Sequence, residues 1–105
     1  MYDKNYIIQL IKFSVLAAEP NATIVLYGSY ARGDNRDDSD INLLILVDND
    51  TVTGSDERRI TYPLYDIEFE TGILIGPLVL SKKDWESRHR IIPFYENVTK
   101  ERKVL

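Results

Sequence analysis

No cysteine occurs in the 105 residues. That excludes disulfide cross-links, thiolate nucleophiles and cysteine-ligated zinc, and it fits a protein of the reducing cytoplasm. Histidine is nearly as scarce. The one copy, His89, stands between Arg88 and Arg90 with no nearby partner for a catalytic or metal role, so none is assigned to it. Basic residues are in deficit, 13 against 17 acidic ones, for a net charge of −4. Broad nucleic-acid binding, which leaves a basic patch or stripe, is therefore not expected, although local basic sites remain open. Long apolar runs are missing too. Residues 6–18 come nearest, but Gln9 and Lys12 interrupt them and they are too short for a bilayer, so neither a signal peptide nor a membrane span is expected. Repeats and low-complexity segments are absent. A chain of this length suits one domain, residues 1–105, with a single core and no room for a separate substrate domain.

What is present centres on one stretch, Leu26-Tyr27-Gly28-Ser29-Tyr30-Ala31-Arg32-Gly33, followed by a polar spacer and Ser39-Asp40-Ile41-Asn42. The β-prone run from Thr23 to Tyr27 stops at Gly28-Ser29, where small residues let the backbone turn sharply and approach a ligand. A short helix beginning near Ser29 would offer unpaired N–H groups, a positive dipole end and the Ser29 hydroxyl to a phosphate. Asp40 and Asn42 open the next apolar run. Two residues apart on a strand, they share a face, so both oxygen-bearing side chains point toward one cleft. A metal held there against a polyphosphate would be a hard cation. Gly28 and Gly33 also have the glycine spacing of a P-loop, but Asp34-Asn35 follow where that motif needs Lys and Ser or Thr.

Gly28-Ser29-x-Ala31-Arg32-Gly33 and Ser39-Asp40-x-x-Leu43-Leu44 resemble the signature of minimal nucleotidyltransferases, small members of the polymerase-beta-like superfamily. The match fixes about ten positions over a short span. It extends to an opening helix, a helix after the second strand, and a third strand ending Val79-Leu80-Ser81 before a helix containing Asp84-Trp85. The resemblance implies an α/β (α+β) fold, a small mixed sheet flanked by helices. It also implies transfer of a nucleotidyl group from a nucleoside triphosphate, with ATP expected, to a hydroxyl. Gly28, Ser29, Arg32 and Ser39 would hold phosphates, and Asp40 with Asn42 would hold Mg²⁺, Asp40 being the catalytic carboxylate. Proteins of this size in the family often pair with a helical HEPN-type partner, as substrate-modifying antitoxins or as substrate-binding subunits, and a homo-oligomer is also open. The pattern departs from the family at one metal-binding position, where Asn42 replaces Asp and brings an oxygen without charge. A second reading follows from that departure, a nucleotide- or partner-binding module without catalysis.

The remaining segments read as support. Residues 6–18 carry Ile7, Leu10, Ile11, Phe13 and Val15 at helical spacing, and Glu19-Pro20-Asn21 ends the helix. Ile41 to Val47 is apolar almost throughout, the pattern of a central strand covered on both faces. The spacer Asp34 to Asp38 reads as a solvated loop; of its flanking arginines, Arg32 could reach a triphosphate, while Arg36 is read as a surface ion pair. From Asp56 a helix is expected through Ile60, Leu64 and Ile67, with Pro63 a complication. Against it stands the period-two pattern of residues 66–70, which as a strand could let Asp66, Glu68 or Glu70 supply the third carboxylate that many members of the resembled family place on the following strand. The helix is preferred. Gly72 suits a helix end and Ile73 to Leu80 a strand with an edge position at Pro77, in which no acid occurs. Ser81 with Asp84 suits a helix cap, Trp85 a packing anchor, and Phe94, Tyr95 and Val98 a final short helix. Lys100 to Lys103 reads as a solvated tail. Asn21-Ala22-Thr23 and Asn97-Val98-Thr99 match the glycosylation pattern and carry no weight without a secretory signal.

Overall fold

The computed structural model describes residues 3–36, 39–88 and 93–105. The spacer residues Asp37 and Asp38 and the lone histidine, His89, lie outside the described residues. Helix α1, Lys4–Ala18, starts where the Asp3 carboxylate accepts the Asn5 N–H at 3.0 Å. It buries Ile7, Ile11 and Val15, one residue per turn along a single stripe. Strand β1, Thr23–Tyr27, leads through a one-turn helix α2, Ser29–Arg32, to strand β2, Ile41–Val47. The two strands pair antiparallel, with Tyr27 opposite Asn42. Strand β3, Ile75–Ser81, lies parallel to β2 on its other side, so a crossover is required, and helix α3, Gly54–Thr71, makes it.

Local chemistry sets the ends of that crossover. Thr53 and Asp56 form a reciprocal capping box, with Thr53 Oγ1 accepting the Asp56 N–H and the Asp56 carboxylate accepting the Thr53 N–H. These bonds hold the Asp56 carboxyl below its ordinary range. At the other end Gly72 takes the left-handed conformation, φ 74°, and closes the last turn onto Glu68. Residues 66–70 are therefore helical, as preferred, and the rival strand is set aside: burying Ile60 and Leu64 on a helical stripe outweighs the short alternation. Glu68, a candidate for the third carboxylate on that rival reading, instead accepts the Ile75 N–H at 2.8 Å and fixes the start of β3. Pro63 sits exposed within α3 and is accommodated there, where ring and missing N–H meet solvent rather than core.

The sheet order is β3-β2-β1-β4, β4 being the two-residue strand Lys103–Val104, and both faces of the sheet are covered. On one face Ile24, Leu26, Ile41, Leu43, Ile45 and Val79 meet the inner stripes of α1 and α3. On the other, Val25, Leu44 and Leu46 meet Trp85 of helix α4, Lys82–Arg88, and Val98 of helix α5, Pro93–Glu101. Ser81 caps α4 by accepting the Asp84 N–H at 2.9 Å, and Trp85 packs edge-on against Phe94 at 5.9 Å. Pro77 falls on β3, an edge strand, where its missing donor costs no ladder bond.

The C-terminal segment departs from the expected solvated tail. Lys103 and Val104 form strand β4, antiparallel to β1, and the Leu105 N–H reaches the Ile24 carbonyl at 2.9 Å. The reason is the open edge of β1, whose backbone groups need partners that a polar side-chain pattern does not advertise. Lys100 ion-pairs with Glu96 one turn earlier.

Leu43 is fully buried in the central strand. Leu43→Ala is expected to lower the unfolding free energy by about 2–5 kcal/mol, seen as a lower urea midpoint with an unchanged slope.

Candidate active site

The site begins with the backbone of Gly28. At φ 80°, ψ −152° it occupies a region essentially closed to residues with a Cβ. From there its carbonyl accepts the N–H groups of Ala31 and Arg32 at 3.1 and 3.0 Å, which turns the chain straight from β1 into α2. Gly33, φ 82°, ends that turn, and the Gly33 and Asp34 N–H groups both return to the Ser29 carbonyl. As the first residues of a helix, Ser29 and Tyr30 present N–H groups that no helical carbonyl can accept.

Across the turn stands Asn42. It is paired in register with Tyr27 on one side and Gly76 on the other. A Cβ placed on Gly28 would lie 2.9 Å from Asn42 Nδ2, and one placed on Gly76 would lie 3.3 Å from Asn42 Oδ1. The amide thus fills the space that two glycines leave, and the phosphate-type turn touches the strand that carries the candidate ligands. Asp40 is exposed just before β2, on the same side as Asn42 by strand alternation.

The other candidate residues are placed differently. Ser39 Oγ accepts the Arg36 N–H at 2.8 Å, and the Ser39 N–H returns to the Arg36 carbonyl at 3.1 Å, so Ser39 closes the end of the spacer and keeps its hydroxyl proton to donate. Arg32 is turned toward acids, donating to Asp34 at 3.1 Å and to Glu101 of α5 at 3.0 Å. Those partners, Asp34 first, raise the pKa of its guanidinium above the ordinary value.

Two neighbours were not singled out from the sequence. Tyr27 shares the Asn42 face and packs edge-on against Phe94 at 5.4 Å, and partial burial pushes its phenol pKa up, so it stays a proton donor at neutral pH. Gly76, next to Pro77 on β3, faces the Asn42 amide. A glycine inside a strand can mark a close approach of another group, and that signal was available.

Among the described residues no three acidic, histidine or cysteine side chains gather closely enough to hold a metal. Asp40 and Asn42 bring one carboxylate and one neutral carbonyl oxygen. That is too little for a resident divalent ion, and it suits one that takes its other ligands from water and a bound triphosphate. A groove of 410 Å³ beside Phe13 on α1 and a cavity of 260 Å³ beneath Trp85 both lie away from this site.

The family profile described as a nucleotidyltransferase domain matches residues 8–103, nearly the whole chain. The chain belongs to this family. The nucleotidyltransferase domain is also 32% identical over 81 residues to a protein of Methanocaldococcus jannaschii provisionally named a protein adenylyltransferase, an alignment covering 72% of this chain and 81% of that one. A Sulfolobus solfataricus crystal structure, provisionally described as a nucleotidyltransferase, superposes with a TM-score of 0.54. It is 20% identical, and the match covers 95% of this chain and 82% of that one. At that identity the likeness establishes the fold. The mixed sheet flanked by helices is thus the nucleotidyltransferase architecture.

Gly28→Ala is expected to cost the nucleotidyltransferase domain about 1–3 kcal/mol, from a strained φ and a clash with Asn42. In the double variant Gly28→Ala/Asn42→Ala the clash disappears and the strain stays. Chemical denaturation should then give a coupling of about 0.5 kcal/mol or more, whereas strict additivity would mean that the two residues do not touch.

Proposed function

We propose that this nucleotidyltransferase moves a nucleotidyl group from ATP to a hydroxyl of another protein. The observation that carries the reading is the contact between the Gly28 turn and Asn42, which brings a polyphosphate-type turn against the strand start bearing Asp40. The name of the M. jannaschii relative supports a protein hydroxyl as acceptor. In this reading the Ser29 and Tyr30 N–H groups and the Ser29 hydroxyl bind the triphosphate, and Ser39 donates to it from the loop. The acceptor oxygen attacks the α-phosphorus, the bond to the β-phosphate breaks, pyrophosphate leaves, and the acceptor proton passes to a base. Asp40 and Asn42 would hold a Mg²⁺ that arrives with the triphosphate, an ion that offsets phosphate charge. Arg32 joins the phosphate set only by leaving Asp34 and Glu101. A HEPN-type helical protein is the acceptor or substrate-binding partner proposed from the family resemblance.

A second reading, a nucleotide- or partner-binding module without turnover, is favoured by one observation. Asn42, where the family motif has an Asp, is a neutral amide seated between two glycines.

Calorimetric titration with ATP, with and without Mg²⁺, followed by pyrophosphate release in the presence of the partner, separates the two. Transfer predicts magnesium-dependent binding with turnover. Asn42→Asp, nearly the same in shape, should tighten magnesium-dependent binding by about tenfold, roughly 1.4 kcal/mol. Asp40→Asn should abolish both. Binding without turnover, unchanged by Asn42→Asp in its lack of product, would sink the transferase reading.

A further inference from the structure

Helix α3 has two faces with different fates. Its inner stripe, Ile60 and Leu64, is fully buried against the sheet and α1. Its outer face carries Arg58, Tyr62, Tyr65 and Phe69, spaced four, three and four residues apart. At 3.6 residues per turn these four fall within an arc of about 60°, opposite the buried stripe. The aromatic members are open: Tyr62 is 59% exposed, Tyr65 46% and Phe69 90%. The rings of Tyr62 and Tyr65 stand 6.4 Å apart, so the stripe is continuous. Large aromatics in a row at heptad spacing on a solvated face are the surface that a second helix covers.

We propose that the occupant is a second copy of this chain, seated antiparallel along α3 about a two-fold axis. Charge selects that partner and that direction. The stripe carries Arg58 at its N-terminal end, and Asp66 flanks it, about 70° from its centre, toward its C-terminal end. Arg59 is already bound to Glu19, which leaves Arg58 as the basic group of the outer stripe. Glu57 and Glu70 both project off the stripe, each about 110° from its centre. A parallel pair would stack like charges at both ends. An antiparallel pair sets each end against its opposite. In the antiparallel register, Tyr62 of one copy meets Tyr65 of the other, and Arg58 lies over the other copy's Phe69 ring, on the end of the seam that carries that copy's Asp66. A guanidinium over an aromatic face beside a carboxylate is favourable on each count. Repetition by the two-fold axis makes the patch self-complementary. Pro63 lies about 130° from the seam's centre and so does not enter it. The candidate active site is at the end of the sheet, on the face opposite α1 and α3, so the pairing leaves it open in both copies.

Sedimentation velocity tests the association. The wild-type chain is expected as a dimer of 12.2 kDa protomers at concentrations of about 50 μM and above. Phe69→Glu should return it to monomer with an unchanged circular dichroism spectrum, since the side chain takes no part in the core. Direction is read by cross-linking, which the absence of cysteine makes clean. Tyr62→Cys and Tyr65→Cys chains, mixed under mild oxidation, should form the mixed disulfide in preference to either like pair. Three results would overturn the proposal. The first is a wild-type monomer up to about 1 mM, which leaves the stripe to a different protein. The second is a dimer that ignores Phe69→Glu, and the third a preference for the Tyr62→Cys like pair, which signals parallel packing.

Discussion

The arrangement hangs on one side chain, the Asn42 amide, at the point where three strands come level. β2 is flanked there by an antiparallel and a parallel neighbour, and on each side the adjoining backbone position is a glycine. Any larger residue at Gly28 would meet the amide, and one at Gly76 would press against it. Gly28 answers to two constraints at once, the contact with Asn42 and a backbone conformation open almost only to glycine. Because the same residue ends β1 and starts the α2 turn, the contact also sets where the unpaired N–H groups of Ser29 and Tyr30 lie relative to Asp40. Packing and the candidate chemistry are thus decided by the same few atoms.

Around that point the two faces of the sheet divide the labour. The α1 and α3 face is the larger aliphatic core and carries stability. The α4 and α5 face is aromatic, and through Tyr27, Phe94 and Trp85 it runs from the core to the edge of the site. Residue Glu101 at the end of α5 holds Arg32 at the exit of the turn, and the residues after it complete the sheet as β4. The C-terminal segment therefore buttresses the site from outside the motif. This also gives Arg32 a structural employment, which competes with any role on phosphate. Helix α3 shows a comparable economy, with one face spent on the core and the other presenting aromatic rings to solvent.

Much of this was legible in the order of residues. Apolar positions one turn apart marked α1 and the inner face of α3, an apolar run broken only by Asn42 marked the doubly covered β2, and Gly28-Ser29 marked the turn. The clustered motif pointed to the nucleotidyltransferase family, which the match over residues 8–103 bears out. Trp85 was read as an anchor and is buried among Phe94 and Tyr95. What stayed hidden involved partners far apart in the chain. The pairing of Lys103 and Val104 with β1 leaves no periodic signature in two residues. The role of Gly76 stayed hidden because the group it makes room for, Asn42, lies 34 positions earlier. The bond from Arg32 to Glu101 stayed hidden because the two are 69 residues apart.

By itself, then, the sequence determined the local elements, the family and the residue types at the motif, since hydrophobic period, glycine tolerance and capping act over a few neighbouring positions. It also determined, through the amide at Asn42, that the candidate pair Asp40 and Asn42 carries one charge and not two. Only the tertiary structure decided that Asn42 is held between two glycines, that Glu68 starts a strand and does not enter the site, that Arg32 is bound to the C-terminal helix, and that the last residues close the sheet. Those outcomes depend on which distant segments are brought side by side, and on backbone groups whose hydrogen-bonding needs are the same for nearly every amino acid.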